Sequence, residues 1–485
     1  QQADHACSTA KSMASNLPRN GDLTQTELVL RSATETELGP MGLSLIEPTA
    51  GALPHNGDML PAERRLAESL FQRSDGAKVI VATPTLAQGM NLPAQMAILA
   101  GDVRSDAKGR TDLKQHELLN AAGRAGRAGH LANGLVLLIP EPVVGFSALG
   151  LASAQSLEKL RSILPPNDQC VRIDDPLADL LDRIQAGAHA EPDVRYFMSR
   201  IRAGEPAEVA NDVAVSLVQR SLAAFQARAR HDEEVFAEKV VVLQLALAAE
   251  VESFDADAIR ISAFTGMSAA ALQAVSARLE RELDNLPSTI AGWCDWLVDF
   301  LSTDPDAFVA LLMNDADVIN TITRGKKAGG PTAPEEFARL KAGLRAWVEG
   351  RPFDEIEIAL GGPPGIASTC KRARDLTLKL ANRRFSMIAA ALAELAKLRL
   401  AAVGRQSENP AVLEIFAIAM RRGFDSAEKV AFAHRNPTIR TRVSLHRAFE
   451  KRMGAFTPLL GHSFRDVLSQ VDLRMAFGAG DSDGA

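Results

Sequence analysis

Aromatic side chains are scarce in this chain: they make up 5% of 485 residues, with a single tyrosine, Tyr196. Few rings are available to read flat ligands by stacking. Cysteine is scarcer still. Cys7, Cys170, Cys294 and Cys370 are scattered without metal-ligand spacing, which excludes a zinc ribbon and fits a reducing cytoplasm better than a disulfide scaffold. No run approaches eighteen uncharged apolar residues, so no membrane span is expected. The first residues do not read as a secretory leader, and no internal repeat marks a solenoid. No nucleophile, metal or cofactor motif supports a metabolic α/β enzyme.

What is present is a long, mixed chain. At 485 residues it exceeds one core, and two to four domains are expected. Hydrophobic residues make up 46%, as in ordinary globular proteins. Alanine and leucine crowd the second half, which points to helix. The formal net charge of -6 hides an asymmetry: residues 365–460 hold 18 Lys/Arg against 7 Asp/Glu, while the remainder holds 36 against 53. A basic zone in an acidic protein suggests a surface facing a polyanion, with solvated basic helix faces as the plain alternative.

The first 145 residues alternate strand and helix. "AKVIVATPTL" (77–86), "QMAILAGD" (95–102) and "GLVLLIPE" (134–141) are short apolar runs of the kind buried in parallel sheets. "PAERRLAESLF" (61–71) places Ala62, Leu66 and Leu70 on one helical face behind Pro61, and "LKQHELLNAAG" (113–123) reads as another helix. Such alternation implies a parallel sheet, with ligands beyond the carboxyl ends of its strands. Two loop segments then fall where chemistry is placed. "TPTLAQGMNLPA" (83–94) follows a strand, and "NAAGRAGRAG" (120–129) carries Arg124 and Arg127 in a frame of small residues. Small neighbours allow close approach of a charged partner, and arginine can fork onto phosphate.

"VIVATPTLAQGMNLPA" resembles motif V of superfamily 2 helicases, and "NAAGRAGR" resembles their motif VI, Q-x-x-G-R-x-G-R. "ALPHNGDMLPAERRLAESLF" (52–71) resembles the segment before motif V, and the Thr-Pro-Thr and Asn-Leu-Pro-Ala details are similar to the Ski-like DExH branch. The resemblance covers roughly residues 1–145 and implies a second RecA-like domain. It implies that Arg124 and Arg127 act as arginine fingers on the γ-phosphoryl group of ATP. It also implies that Gly89, Asn91, Asn120 and Gly123 lie near the nucleotide. Thr83 would contact a nucleic-acid phosphate through its hydroxyl and backbone N–H. His55, expected in the loop before the 61–71 helix, is a weaker candidate for the same strand. With so few aromatics, backbone contacts rather than base reading are expected, on single-stranded or duplex DNA or RNA.

Two departures qualify the resemblance. Asn120 replaces the glutamine that opens motif VI, keeping the amide but shortening its reach. No G-x-x-x-x-G-K-[ST] occurs: "TRGKKAGG" (323–330) lacks the strand, the spaced glycine and the hydroxyl. "HDEEV" (231–235) and "FDEIE" (353–357) lack the strand of a DExH box. The sequence therefore reads as entering partway through the second RecA-like domain. ATP and Mg²⁺ would be held mainly by a first domain, and this chain alone is expected to be inactive. A non-catalytic nucleic-acid-binding scaffold on the same frame is the alternative.

Beyond residue 145 the strand signal ends, and the expected fold class is a RecA-like α/β domain followed by a large, mostly helical region. Residues 146–330 read as helical, with "FTGMSAAALQAVSARLERELDNL" (264–286) a winged-helix-like unit or a plain hairpin capped by Ser268. Residues 331–476 read as a basic, ratchet-like bundle and 477–485 as a disordered tail. Long helices are expected over 206–250 and 369–402. In the second, Leu376, Leu380, Met387 and Ala391 would line the core. Lys371, Arg374, Lys379, Arg383 and Arg384 would cover the remaining surface, with Lys371, Arg374 and Arg383 the candidates for nucleic-acid contact. A surface Asp375–Lys379 pair is the competing arrangement.

Overall fold

The protein is described from a computed structural model, which covers residues 2–83, 94–100, 103–106, 109–112, 134–139, 176–187, 215–216, 218–251, 254–312, 334–406, 408, 410–454 and 462–478, with isolated positions at 191, 194, 197–198, 201, 319 and 322. The chain forms two compact units: residues 1–34 with 44–173, and residues 35–43 with 174–485.

In the first unit, helix α1 (Gln2–Ala14) and residues 25–34 of helix α2 (Gln25–Leu38) precede strand β1 (Ala52–His55), helix α3 (Pro61–Gln72) and strand β2 (Val79–Ala82). β1 and β2 pair in parallel, Ala52 opposite Val79 and His55 opposite Ala82, so β1-α3-β2 is a crossover unit. α3 starts at Pro61, whose missing N–H costs nothing in a first turn. Buried Glu63 reaches back to the Leu60 N–H (2.7 Å) and also accepts from the Leu45 N–H and the Ser44 hydroxyl, each at 2.9 Å. Leu66, Ala67 and Leu70 of α3 close a core with Leu53, Met59 and Ala77. β3 (Met96–Ala100) pairs in parallel with β6 (Leu135–Ile139), and β4 (Val103–Asp106) with β5 (Gly109–Asp112) forms an antiparallel hairpin. The strands expected within 77–86, 95–102 and 134–141 are β2, β3 and β6. The helix expected over 113–123 lies outside the described residues.

The sequence pattern does not announce α2, and its burial shows why. Glu27, Leu30, Thr34 and Leu38 face inward, whereas Leu28 and Val29 are exposed, so polarity runs against the helical period. Glu27 is satisfied by a capping box: the Thr24 N–H donates to its carboxylate (2.8 Å) and its own N–H donates to the Thr24 hydroxyl (3.4 Å). Its oxygens also accept from Ser69 (2.8 Å) and Arg73 (2.6 Å). Burial pushes the Glu27 carboxyl up, but these hydrogen bonds outweigh it and hold the group below the usual carboxylate range.

The second unit's described elements are helices, as expected, apart from one isolated parallel bridge between Gly42 and Ser368. Its longest element is α-helical over Lys371–Arg374, π-helical over Asp375–Phe385 and α-helical again over Ser386–Ala402. It packs against the Pro410–Arg422, Ala269–Arg281 and Ala256–Thr265 helices. Rings of Trp293, Trp296, Phe300 and Phe416 meet beside it. A smaller core forms where the Pro176–Gln185 and Glu233–Val251 helices meet, around Leu181, Ile184, Val240 and Leu243. The helix expected over 206–250 is broken at His231, which adopts φ +61° and separates Leu222–Arg230 from Glu233–Val251. Ser268 does cap its helix, accepting the Ala271 N–H, and Leu272, Val275 and Leu279 are buried on one face. No described helix is long and apolar enough to cross a membrane.

Residues 35–43 join this helical unit through specific polar contacts. Glu37 lies against the start of the Arg442–Met453 helix, accepting from the Arg442 and Val443 N–H groups. The Met41 N–H donates to Asp354 (3.0 Å), and the Leu43 N–H and the Met41 carbonyl bond the Ser368 backbone.

Candidate functional site

β1 and β2 end side by side. The Thr83 N–H donates to the His55 carbonyl (3.2 Å), extending the parallel ladder one step past the last strand residues. Thr83 and His55 thus meet at the carboxyl edge, where parallel sheets bind ligands. Two corrections follow. His55 is the final residue of β1, not part of a loop. The Thr83 backbone N–H is committed to the sheet rather than offered outward.

The His55 side chain turns inward. It is 4% exposed, and Nε2 lies 3.0 Å from Glu68 Oε1 on α3. It therefore presents no ring to a strand passing over the surface, and its observed role is to tie β1 to α3. The next residue, Asn56, is equally buried and organises the turn: its Oδ1 accepts the Asp58 N–H (3.0 Å), and its amide reaches Ala3 and Cys7 of α1. Gly89, Asn91, Asn120, Gly123, Arg124 and Arg127 lie outside the described residues. Among the described residues, no group of three or more His, Cys, Asp or Glu side chains gathers as metal ligands.

In the helical unit the three basic candidates separate. Arg374 is buried (1% exposed), with Nε donating to the Thr369 carbonyl at 2.7 Å, and so is unavailable to a polyanion. Lys371 lies 3.8 Å and Lys379 2.6 Å from the buried Asp375 carboxylate, which realises the Asp375–Lys379 pair and adds a second lysine to it. Arg383 is exposed and has no ion pair among the described residues. The expected core position of Met387 is also corrected: it is 43% exposed, and Phe385 and Ile388 are buried instead.

A polar network that sequence reasoning missed lies around Arg442. Its guanidinium is buried over the Trp347 ring, 4.4 Å from the centroid, donating to the Trp347 carbonyl (2.9 Å) with Glu37 at 3.4 Å. Burial pulls its pKa down, against the pull of Glu37. Nearby, His446 stacks on Phe424 at 5.3 Å, with Nε2 at 2.8 Å from the Gly423 carbonyl and Nδ1 at 3.1 Å from Lys429 Nζ. These partners assign the proton to Nε2. Burial, then the Lys429 charge, lower its pKa to about 4. Cys370, at φ +54°, is buried with its thiol pushed up to about 11, which makes it inert rather than nucleophilic.

The parallel crossover, with Thr83 and His55 meeting at its carboxyl edge, defines the first unit as an α/β domain. Comparison with known proteins sharpens this: residues 24–129 match the helicase conserved C-terminal domain. The chain is also similar to superfamily 2 helicases of the DExH, Ski2-like kind. It is 32% identical over 159 residues to the probable helicase HelY of Mycobacterium leprae, covering 32% of this chain and 16% of that protein. It is 38% identical over 96 residues to the antiviral helicase SKI2 of Saccharomyces cerevisiae, covering 20% and 7%. It is 36% identical over 92 residues to the ATP-dependent DNA helicase Hel308 of Aeropyrum pernix, covering 19% and 12%. Each match thus spans well under a fifth of the relative's length.

Proposed function

We propose that this chain supplies the second RecA-like domain and the following helical region of an ATP-dependent nucleic-acid helicase or translocase. The observation that carries the reading is a coincidence of position. The helicase C-terminal match over 24–129 contains the parallel β1–β2 pair whose carboxyl edge joins Thr83 to His55.

In this reading Arg124 and Arg127 donate to charge developing on the transferred γ-phosphoryl group, a contribution of roughly 10³–10⁵ in rate for such fingers. Gly89 and Gly123 allow the backbone to approach the nucleotide, and Asn91 and Asn120 offer amides to it. The Thr83 hydroxyl faces a strand phosphate from the same rigid domain, so closure around ATP and movement of the strand are coupled through one body. The sequence holds no phosphate-cradling glycine loop, so a first RecA-like domain would hold ATP and its Mg²⁺. Bound there, the metal neutralises phosphate charge.

The test is nucleic-acid-stimulated ATP hydrolysis by this chain, alone and joined to a first RecA-like domain. Turnover only in the joined protein is the expected result. Silence in both, with strand binding intact, would replace the motor with a binding scaffold.

A further inference from the structure

Many cations in the basic zone are paired within the fold. Lys379 is paired to Asp375, Arg399 to Asp255, Lys429 to Asp425 and Arg435 to Asp472. Alongside Arg440, Arg447, Lys451 and Arg452, Arg383, Arg421 and Arg422 are exposed and have no ion pair among the described residues. The last three come from two packed helices joined at this point by a hydrogen bond from Arg421 Nε to Asn382 Oδ1 (3.1 Å).

The local geometry orients rather than merely collects these charges. Asn382 uses the Nε of Arg421 and leaves its two terminal nitrogens as a fork. Arg422 lies over the Phe424 ring, 5.6 Å from the centroid, which holds its guanidinium plane while leaving edge donors outward. The π-helical stretch Asp375–Phe385 puts Phe385 in the core and leaves Asn382 and Arg383 on the surface. Among the acidic side chains of these two helices and the following turn, Asp375, Glu394 and Asp425 are each engaged by a lysine, and Glu414 accepts the Phe464 N–H. The Phe424 ring is not itself presented, being 1% exposed.

We infer that Asn382, Arg383, Arg421 and Arg422 form a clasp for the phosphate backbone of a nucleic-acid strand, one that grips without reading bases. The inference rests on the proposed nucleic-acid function and locates a grip for the strand on the helical unit. Two oriented guanidinium groups, Arg421 and Arg422, beside the exposed Arg383 fit closely spaced phosphates, and a buried rather than exposed Phe424 fits indifference to sequence.

The experiment is fluorescence anisotropy with labelled oligothymidylate and oligouridylate, titrated between about 50 and 200 mM salt. Arg383→Ala/Arg421→Ala/Arg422→Ala should lower the slope of log affinity against log salt by about 2, since each single-strand phosphate that a cation neutralises adds about 0.7 to it. The corresponding triple lysine variant should keep most of the slope. Arg447→Ala/Lys451→Ala, which removes exposed charge elsewhere, should leave it unchanged. Tryptophan fluorescence confirms that each variant is folded. An unaltered slope in the triple alanine variant, or an equal fall in the Arg447/Lys451 control, overturns the clasp while leaving the proposed function standing. Failure of the unmodified chain to bind either strand at low salt overturns both.

Discussion

An arginine set among glycine and alanine can approach a phosphate closely because no bulky neighbour holds the two apart. Arg127 has that setting in Gly126-Arg127-Ala128. In a protein carrying both RecA-like domains, Arg127→Ala is expected to lower stimulated ATP turnover by roughly 10³ or more and leave strand affinity unchanged; steady-state hydrolysis and anisotropy check the two halves. Gly350 is constrained for a different reason. It sits at φ +81°, and a Cβ there would lie 2.3 Å from His446 Cγ. Gly350→Ala should therefore cost more than the roughly 1–3 kcal/mol of backbone strain alone. Gly187 shares the backbone conformation at φ +80° but faces open space, so Gly187→Ala should cost only the strain. Urea midpoints for the two variants separate clash from conformation.

At the scale of the element, the 371–402 helix shows how a change in helical pitch redirects side chains. An α-helical period places Met387 seven residues after Leu380 on the same face. The π stretch bonds i to i+5, so the inward stripe runs Leu376, Leu380, Phe385, Ile388 and passes Met387 by. Phe385→Ala is expected to destabilise the helical unit by about 3–5 kcal/mol, and Met387→Lys to change it by less than about 0.5 kcal/mol. A reversed ranking in denaturant unfolding would restore the α-helical register.

For the whole molecule, tryptophan fluorescence reports on the helical unit alone, because Trp293, Trp296 and Trp347 all belong to it. Glu37 belongs to that unit as well, although it is far away in sequence. Glu37→Ala leaves Arg442 buried without its carboxylate, and a loss of about 3–5 kcal/mol is expected by this probe. The two units should also respond differently to acid. His446 titrates near 4 in the folded state against about 6.5 when exposed, so unfolded chains bind its proton first. Its contribution is complete above about pH 6.5 and lost as pH falls toward about 4, a change of about 3 kcal/mol. His446→Gln should flatten the tryptophan-detected stability profile over that window. Glu27 acts lower: its depressed carboxyl stabilises the first unit above the ordinary carboxylate range, and that stability is lost as pH falls through the folded value.

The β-strands β2, β3 and β6, helix α3 and the Ser268 cap were legible because each depends on local chemistry: an apolar run, a helical stripe, a proline in a first turn, a hydroxyl before a helix. The likeness to superfamily 2 helicases was legible for the same reason, since the segments that carry it keep particular residues at fixed spacing. What the sequence alone could not reveal depends on partners distant along the chain. Glu27 is inward because Arg73 and Ser69 wait for it, and Glu37 is drawn to a helix that begins at Arg442. Of the basic residues on one helix, Arg374 is buried, Lys371 and Lys379 are paired, and Arg383 faces solvent. Charge and local period are identical inputs in all these cases, and only the tertiary structure decides which groups find a counter-charge and which remain for an external phosphate.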